Sequence, residues 1–287
     1  MLPEGFVFSQ SSLQDYSDCP RRFELRYLRR CRWPAPHTAD ALLWEQVTER
    51  GHAFHRLLRQ LHTGIPEARL HDVASRDADL LRWWETYREC PPKDMPEEVR
   101  VAEATLSTTL AGFRLEARFD LLAGTQGGRW LILDWKTNAR RPERRWLEGR
   151  QQSHVYPWVL VTAGDALNGG ARIAPEQVEM CYWFAEFAAQ PERFPYSSRD
   201  ASSDEEHLSR LISEISTRAE NGQPGRGQED AFPRTLNQAL CRFCCYRSLC
   251  WETVQAGLLA EAEAEAAEGE LIDPPEVDLE NLTPIPY

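Results

Sequence analysis

Asp120-Leu121-Leu122-Ala123-Gly124-Thr125-Gln126-Gly127-Gly128-Arg129-Trp130-Leu131-Ile132-Leu133-Asp134-Trp135-Lys136 reads as two strands around a glycine-rich turn. Phe113–Leu122 and Arg129–Trp135 have the Leu, Ile, Phe and Trp content of β-strands, and Gly124 through Gly128 supply turn chemistry. A hairpin symmetric about position 127 sets Asp120 opposite Asp134. Directly opposed residues share a face of the sheet, with Cβ atoms about 4.5–5.5 Å apart. Strand period two adds Lys136 to that face and turns Trp135 to the other. Two carboxylates and an ammonium are therefore expected at one point.

Two carboxylates so close repel each other unless a proton or a cation sits between them. Mg²⁺ is commonly held by one or two carboxylates, with substrate phosphate completing its shell. A metal held this way polarises a phosphoryl oxygen and generates hydroxide from water. A neighbouring lysine orients that water or stabilises charge building on the phosphate. An exposed cross-strand Asp–Lys pair, contributing well under about 1 kcal/mol, would present the same letters.

Upstream, Glu45–His62 reads as a helix in which Val47, Gly51, Phe54, Leu58 and Leu61 form one buried stripe. Gly64 and Pro66 stop it. His55 borders that stripe. It is a metal ligand if the carboxylates face it and a core-edge histidine otherwise; His52, a turn away, is the second candidate.

Cysteine usage is a separate signal. There are eight cysteines: Cys19, Cys31, Cys90, Cys181, Cys241, Cys244, Cys245 and Cys250. Met1–Ser12 has neither the basic start nor the apolar run of a secretory signal, so a disulfide framework is not expected and the location expected is cytoplasmic. Four cysteines crowd into residues 241–250 as C-x-x-C-C-x-x-x-x-C. Thiolates so spaced suit zinc or an iron–sulfur cluster.

These residues together resemble the PD-(D/E)XK nuclease superfamily, specifically its RecB-like branch. That branch takes in the nuclease domains of RecB and AddB and the CRISPR-associated RecB-like exonucleases. The resemblance runs from about Ser9 to Tyr156 and again from Leu240 to Cys250. Asp120 matches the first acidic motif, and Asp134-Trp135-Lys136-Thr137 matches D-x-K-T. Gln152-Ser153-His154-Val155-Tyr156 matches Q-x-x-x-Y, and Gly51-His52-Ala53-Phe54-His55 matches the G-x-x-x-H helix. The resemblance implies that His55, Asp120, Asp134 and the backbone carbonyl of Trp135 hold Mg²⁺ or Mn²⁺. It implies that Lys136 positions the attacking water, and that Gln152 and Tyr156 face the substrate or steady the site. Cys19-Pro20-Arg21-Arg22-Phe23 matches the C-P-x-x-F/Y element of iron–sulfur members. With C-x-x-C-x-x-x-x-x-C near the end, Cys19, Cys241, Cys244 and Cys250 are the implied ligands of a [4Fe–4S] cluster. Cys245 departs from the pattern.

The implied fold is α/β, a restriction-endonuclease-like central mixed sheet flanked by helices, with an N-terminal helical part and a C-terminal Cys-rich clasp. The expected divisions are 1–100 (helical, with Cys19 and His55), 101–235 (nuclease core), 236–252 (Cys-rich segment) and 253–287 (acidic tail). The implied activity is DNA phosphodiester hydrolysis, as an exonuclease on single strands or DNA ends, in repair, recombination or CRISPR adaptation. A helicase or an integrase-type protein is the implied partner. The alternative is a non-catalytic DNA-end-binding or accessory subunit of a helicase–nuclease or spacer-acquisition complex.

Composition agrees with a soluble enzyme of this size. The chain has 287 residues, 42% hydrophobic, with ten Trp to fill a core. No apolar stretch is long enough to span a bilayer, so no membrane partner is expected. The net charge of −12 looks wrong for a DNA enzyme, but residues 253–287 hold nine acidic and no basic side chains, leaving −3 for the remainder. Basic residues cluster twice, at Arg21, Arg22, Arg26, Arg29, Arg30 and Arg32 and at Arg140, Arg141, Arg144, Arg145 and Arg150. Guanidinium groups suit phosphate contacts that carry no sequence information; the first cluster would equally pair with Glu24 and neighbouring acids. Trp135 and Trp146 are candidate stacking surfaces for an unpaired base.

The remaining expectations concern elements. Ser11-Ser12-Leu13-Gln14 predicts a capping box opening a helix to about Arg30. Asp72–Cys90 reads as one helix within a small insert and Val101–Leu110 as a first strand, with Glu103 at its start either a carboxylate supporting the metal ligands or a solvent-facing one. Arg150–Ala163 reads as a helix bent at Pro157, Gln177–Phe187 as a strand, Ser203–Arg218 as an amphipathic helix and Asn221–Asp230 as a polar linker.

Overall fold

The computed structural model describes residues 1–31, 39–221, 231–241 and 244–250. Arg32, most of the polar linker and the acidic tail lie outside the described residues. The chain divides into two compact units, Leu43–Arg210 and a second made of Met1–Leu42 with the residues from Leu211 onward.

The larger unit is built on a mixed sheet. β2 (Val99–Leu110), β3 (Phe113–Gly124) and β4 (Trp130–Lys136) form an antiparallel meander. β5 (Val178–Phe184) runs parallel to β4, and β6 (Glu192–Pro195) antiparallel to β5. β2 and β3 are joined by Ala111 and Gly112, both at positive φ (49° and 82°), the backbone a two-residue hairpin turn requires. Parallel pairing of β4 and β5 needs a crossover. That crossover carries α6 (Arg144–Glu148) and α7 (Gln151–Ala163), with Pro157 inside the latter.

Both faces of β4 are covered, which is why six of its seven residues are buried. Leu131, Leu133 and Trp135 join Phe54, Leu57 and Leu58 of α3 (Ala39–His62) in one apolar cluster. Leu80, Trp83, Trp84 and Tyr87 of α5 (Ala78–Glu89) and Trp183 of β5 belong to the same cluster. α7 packs against β2, β3 and β5. The α/β class with a mixed central sheet flanked by helices is as expected.

The smaller unit contains β1 (Val7–Ser9), α1 (Gln10–Asp18), α2 (Pro20–Phe23), a π-helical turn at Glu24–Leu28 and, near its far end, a short helix at Arg247–Cys250. Phe6, Phe8, Tyr16, Phe23, Tyr27 and Phe232 pack ring against ring, Phe23 and Phe232 stacked at 6.0 Å.

Several local expectations are corrected. The capping box is Ser9 with Ser12, two residues earlier than expected. The helix does not continue to Arg30: Pro20 forces Cys19 into extended backbone (φ −160°, ψ 105°), ending α1 and starting α2. Asp72–Cys90 is two helices, α4 (Glu67–Ala74) and α5, because the Asp77 carboxylate caps the second through the amides of Asp79 and Leu80. Val47 is half exposed, and Leu57 takes a place in the α3 stripe.

Candidate active site

The β3–β4 register pairs Leu121 with Leu133 and Gly124 with Trp130. One further step along that register brings Asp120 across from Asp134, as symmetry about position 127 requires. Trp135 N–H donates to Asp120 Oδ2 at 2.8 Å, so the strand backbone itself fixes that carboxylate. Lys136 Nζ lies 3.1 Å from Asp134 Oδ2. Gln152 of α7 closes the group, its Nε2 donating to Asp134 Oδ1 and its Oε1 accepting from Lys136 at 3.1 Å. His55, on α3, meets Asp120 through Nδ1 and Oδ1 at 3.1 Å. Four segments far apart in sequence thus deliver His55, Asp120, Asp134, Lys136 and Gln152 to one place.

Asp134 and Lys136 are 5% and 15% exposed, whereas Asp120 and His55 are 23% and 33% exposed. The site is dry at its base and open to solvent on the histidine side. Burial works to lower the His55 pKa, but the charge and hydrogen bond of Asp120, with Asp134 further off, outweigh it and hold it above its ordinary value. Burial likewise works to raise Asp120, yet the His55 charge and hydrogen bond, the Trp135 amide and Lys136 hold it below the usual carboxylate range. Asp134 therefore faces the Lys136 ammonium and Asp120 the His55 imidazole. Among the described residues, no three His, Cys, Asp or Glu side chains converge tightly enough to share one ion as placed. The donor set nonetheless suits a hard divalent cation, with two carboxylates and an imidazole.

Tyr156, one turn after Gln152, is buried with its ring 4.9 Å from Phe119. It packs against the strand that bears Asp120. Gly51 lets α3 approach the strand end, since a Cβ there would stand 3.1 Å from Thr137 Oγ1. His52 forms no part of this group.

Trp135 is not a stacking surface. It is 2% exposed, parallel to His62 at 6.2 Å and edge-on to Tyr87 and Trp183. Trp146 is half-buried with the Arg150 guanidinium 4.7 Å over its ring. Of the arginines after β4, Arg141 and Arg144 both pair with Glu192. In the first cluster Arg22 and Arg26 pair with Asp15, and Arg21 and Arg29 with Glu24. Those pairs favour a structural use of the first cluster.

In the smaller unit, Cys19, Cys241, Cys244 and Cys250 line one cavity together with Arg22, Arg234 and Arg247. Cys245 is exposed and does not line it. Burial pushes the Cys250 thiol up, with Cys244 and Cys19 adding to the effect. Tyr246 Oη donates to the Cys31 carbonyl at 3.0 Å, and the Arg21 amide to the Pro233 carbonyl at 3.1 Å, so both ends of this unit are also tied without the cysteines.

Sequence reasoning missed β1 and β6, and of its two readings of Glu103 the solvent-facing one does not hold. That side chain is 24% exposed and accepts from Arg59 and Arg118 at 3.0 and 2.8 Å. It also missed a network in which Asp204 accepts from Tyr196 Oη at 2.9 Å and meets His154 Nδ1 at 2.7 Å.

The sequence pattern of the PD-(D/E)XK nuclease superfamily matches residues 7–251, and the chain belongs to that superfamily. None of the curated proteins is similar enough in sequence to match. Among solved structures, one from Eubacterium rectale named "Putative exonuclease" has 9% identity and a TM-score of 0.50, over 90% of this chain and 93% of that one. The crystal structure of SSO0001 has 13% identity and a TM-score of 0.41, over 89% of this chain and 90% of that one. No helix among the described residues is long and apolar enough to cross a membrane.

Proposed function

We propose that this protein is a Mg²⁺- or Mn²⁺-dependent deoxyribonuclease of the RecB-like type, acting as an exonuclease on single-stranded DNA or DNA ends. The observation that carries the reading is the joining of Asp134, Lys136 and Gln152 on one side and Asp120 with His55 on the other. His55, Asp120, Asp134 and the Trp135 carbonyl would hold the metal. When bound, that ion would neutralise charge on the scissile phosphate and make water a stronger nucleophile. Lys136, fixed between Asp134 and Gln152, would hold the attacking water or the charge that develops on the phosphate. Gln152 orients both neighbours, and Tyr156 steadies the strand beneath Asp120. The half-exposed Trp146 and Arg150 after β4 would meet a frayed strand.

In the smaller unit, Cys19, Cys241, Cys244 and Cys250 would ligate a [4Fe–4S] cluster with a structural role, tying residues 222 positions apart in the chain. Such a cluster would supply cross-linking, and the three lining arginines would balance its negative charge. The room left among the thiols is only about 20 Å³, so a cluster would part them further than zinc would. Iron and sulfide analysis with visible absorption of anaerobically purified protein decides between the two. One zinc and no iron overturns the cluster reading.

Cleavage is tested with end-labelled single- and double-stranded DNA in Mg²⁺, Mn²⁺ and EDTA, comparing wild type with Lys136→Ala. Wild-type digestion that requires metal and is lost in the variant is expected. DNA-end binding without cleavage, with or without a helicase or integrase added, overturns the reading in favour of an accessory subunit.

A further inference from the structure

Glu103 lies mid-strand in β2 yet has φ +49°, a backbone region non-glycine residues seldom adopt. The β2–β3 register runs from Ala102↔Leu121 to Ala104↔Phe119 and passes over Glu103 and Asp120 between them. The distortion therefore falls beside a proposed metal ligand. The Glu103 carboxylate accepts from Arg59, one helical turn after His55 on α3, and from Arg118 of β3. α3 is thus fastened to the sheet by two successive rungs, His55 to Asp120 and Arg59 to Glu103.

We infer that Glu103 is a positioning residue for the metal site: through Arg59 it sets where His55 stands relative to Asp120. This rests on the nuclease reading. A packing role alone would not require an ionised acceptor directly alongside Asp120, nor a strained backbone to present it. Partners of metal ligands commonly alter metal affinity 10- to 100-fold when removed.

The test is Mn²⁺ binding to the metal-free full chain, read from the EPR signal of free Mn²⁺, together with the Mn²⁺ dependence of cleavage. Glu103→Gln is expected to weaken binding roughly 10-fold or more, while kcat at saturating Mn²⁺ stays within a few-fold of wild type. Arg59→Met, which leaves the strand untouched, is expected to act in the same direction, and Arg59→Lys to recover part of the loss. Glu116→Gln, which removes an ion pair to Arg114 on the same sheet, is the control and should bind as wild type does. Wild-type binding that Asp134→Ala abolishes but Glu103→Gln and Arg59→Met leave within two-fold overturns this inference alone. A wild type that binds no Mn²⁺ overturns the nuclease reading and this inference with it.

Discussion

Replacing Lys136 with Met removes the cation nearest Asp134 and keeps the length of the side chain. Asp134 is buried and Lys136 largely so, 5% and 15% exposed, with Nζ 3.1 Å from Oδ2. Breaking a buried pair by removing one partner costs about 3–5 kcal/mol, because the remaining charge is left uncompensated. Gln152 still donates to Asp134 Oδ1, and the neighbouring His55–Asp120 edge is open to solvent. The expected loss is therefore at the lower end, about 3 kcal/mol in EDTA. With a urea slope of about 2 kcal/mol per M, the midpoint falls by roughly 1.5 M. A bound divalent ion takes over the neutralising role. Mn²⁺ at about 100 times the wild-type dissociation constant, used at the same concentration for both proteins, stabilises wild type by about 2.7 kcal/mol. It should stabilise Lys136→Met more than wild type, because the ion there meets an uncompensated carboxylate. The measurement is urea unfolding of both proteins in EDTA and in Mn²⁺, with Asp134→Asn/Lys136→Met completing the cycle. The double variant should recover most of the EDTA penalty. A loss below about 1 kcal/mol in EDTA, or an equal loss with and without metal, refutes the argument that the ammonium stands in for the ion.

Gly124→Ala should cost about 1–3 kcal/mol by thermal unfolding, because its Cβ would lie 2.4 Å from the Trp130 ring across the strand pair. Gly51→Ala should lower cleavage more than stability: its Cβ would press on Thr137 Oγ1 at 3.1 Å and displace the helix that bears His55. His62 is half-buried, and that burial, with Arg100 nearby, lowers its pKa to about 4. The unfolded chain then binds more protons between that value and the ordinary pKa of about 6.5, so stability should fall as pH drops through this window. His62→Gln should flatten that part of the stability–pH curve measured by urea unfolding. An unchanged slope would refute the assignment.

The carboxylate pair was legible because register in a hairpin follows from the turn, and the turn is written in Gly124 to Gly128. Alternation then fixed the side of Lys136 and the burial of the β4 run. Gln152 and Tyr156 were legible only through their resemblance to the Q-x-x-x-Y element, and they stand one turn apart, both directed at the sheet. What failed depended on partners remote in sequence. Arg141 and Arg144 look like phosphate contacts until Glu192 appears about fifty residues later. Glu103 looks solvent-facing until α3 brings Arg59 to it, and nothing local in Val101–Leu110 announces a left-handed residue. β6 is four residues long, too short for periodicity to stand out from a loop.

The two faces of β4 explain how so charged a site can sit in a stable fold. On one face Trp135 lies in a wall of His62, Tyr87 and Trp183, with Leu131 and Leu133 beneath it. On the other, one residue either side, Asp134 and Lys136 face Gln152. The aromatic wall supplies the burial that fixes the strand, and the fixed strand keeps two carboxylates close at a cost that His55 and Lys136 offset. A divalent ion would therefore compete with an existing set of side-chain pairs rather than fill a bare anionic pocket. Its affinity would depend on how firmly α3 and α7 hold His55 and Lys136, so changes on either helix should alter metal dependence before they alter the sheet.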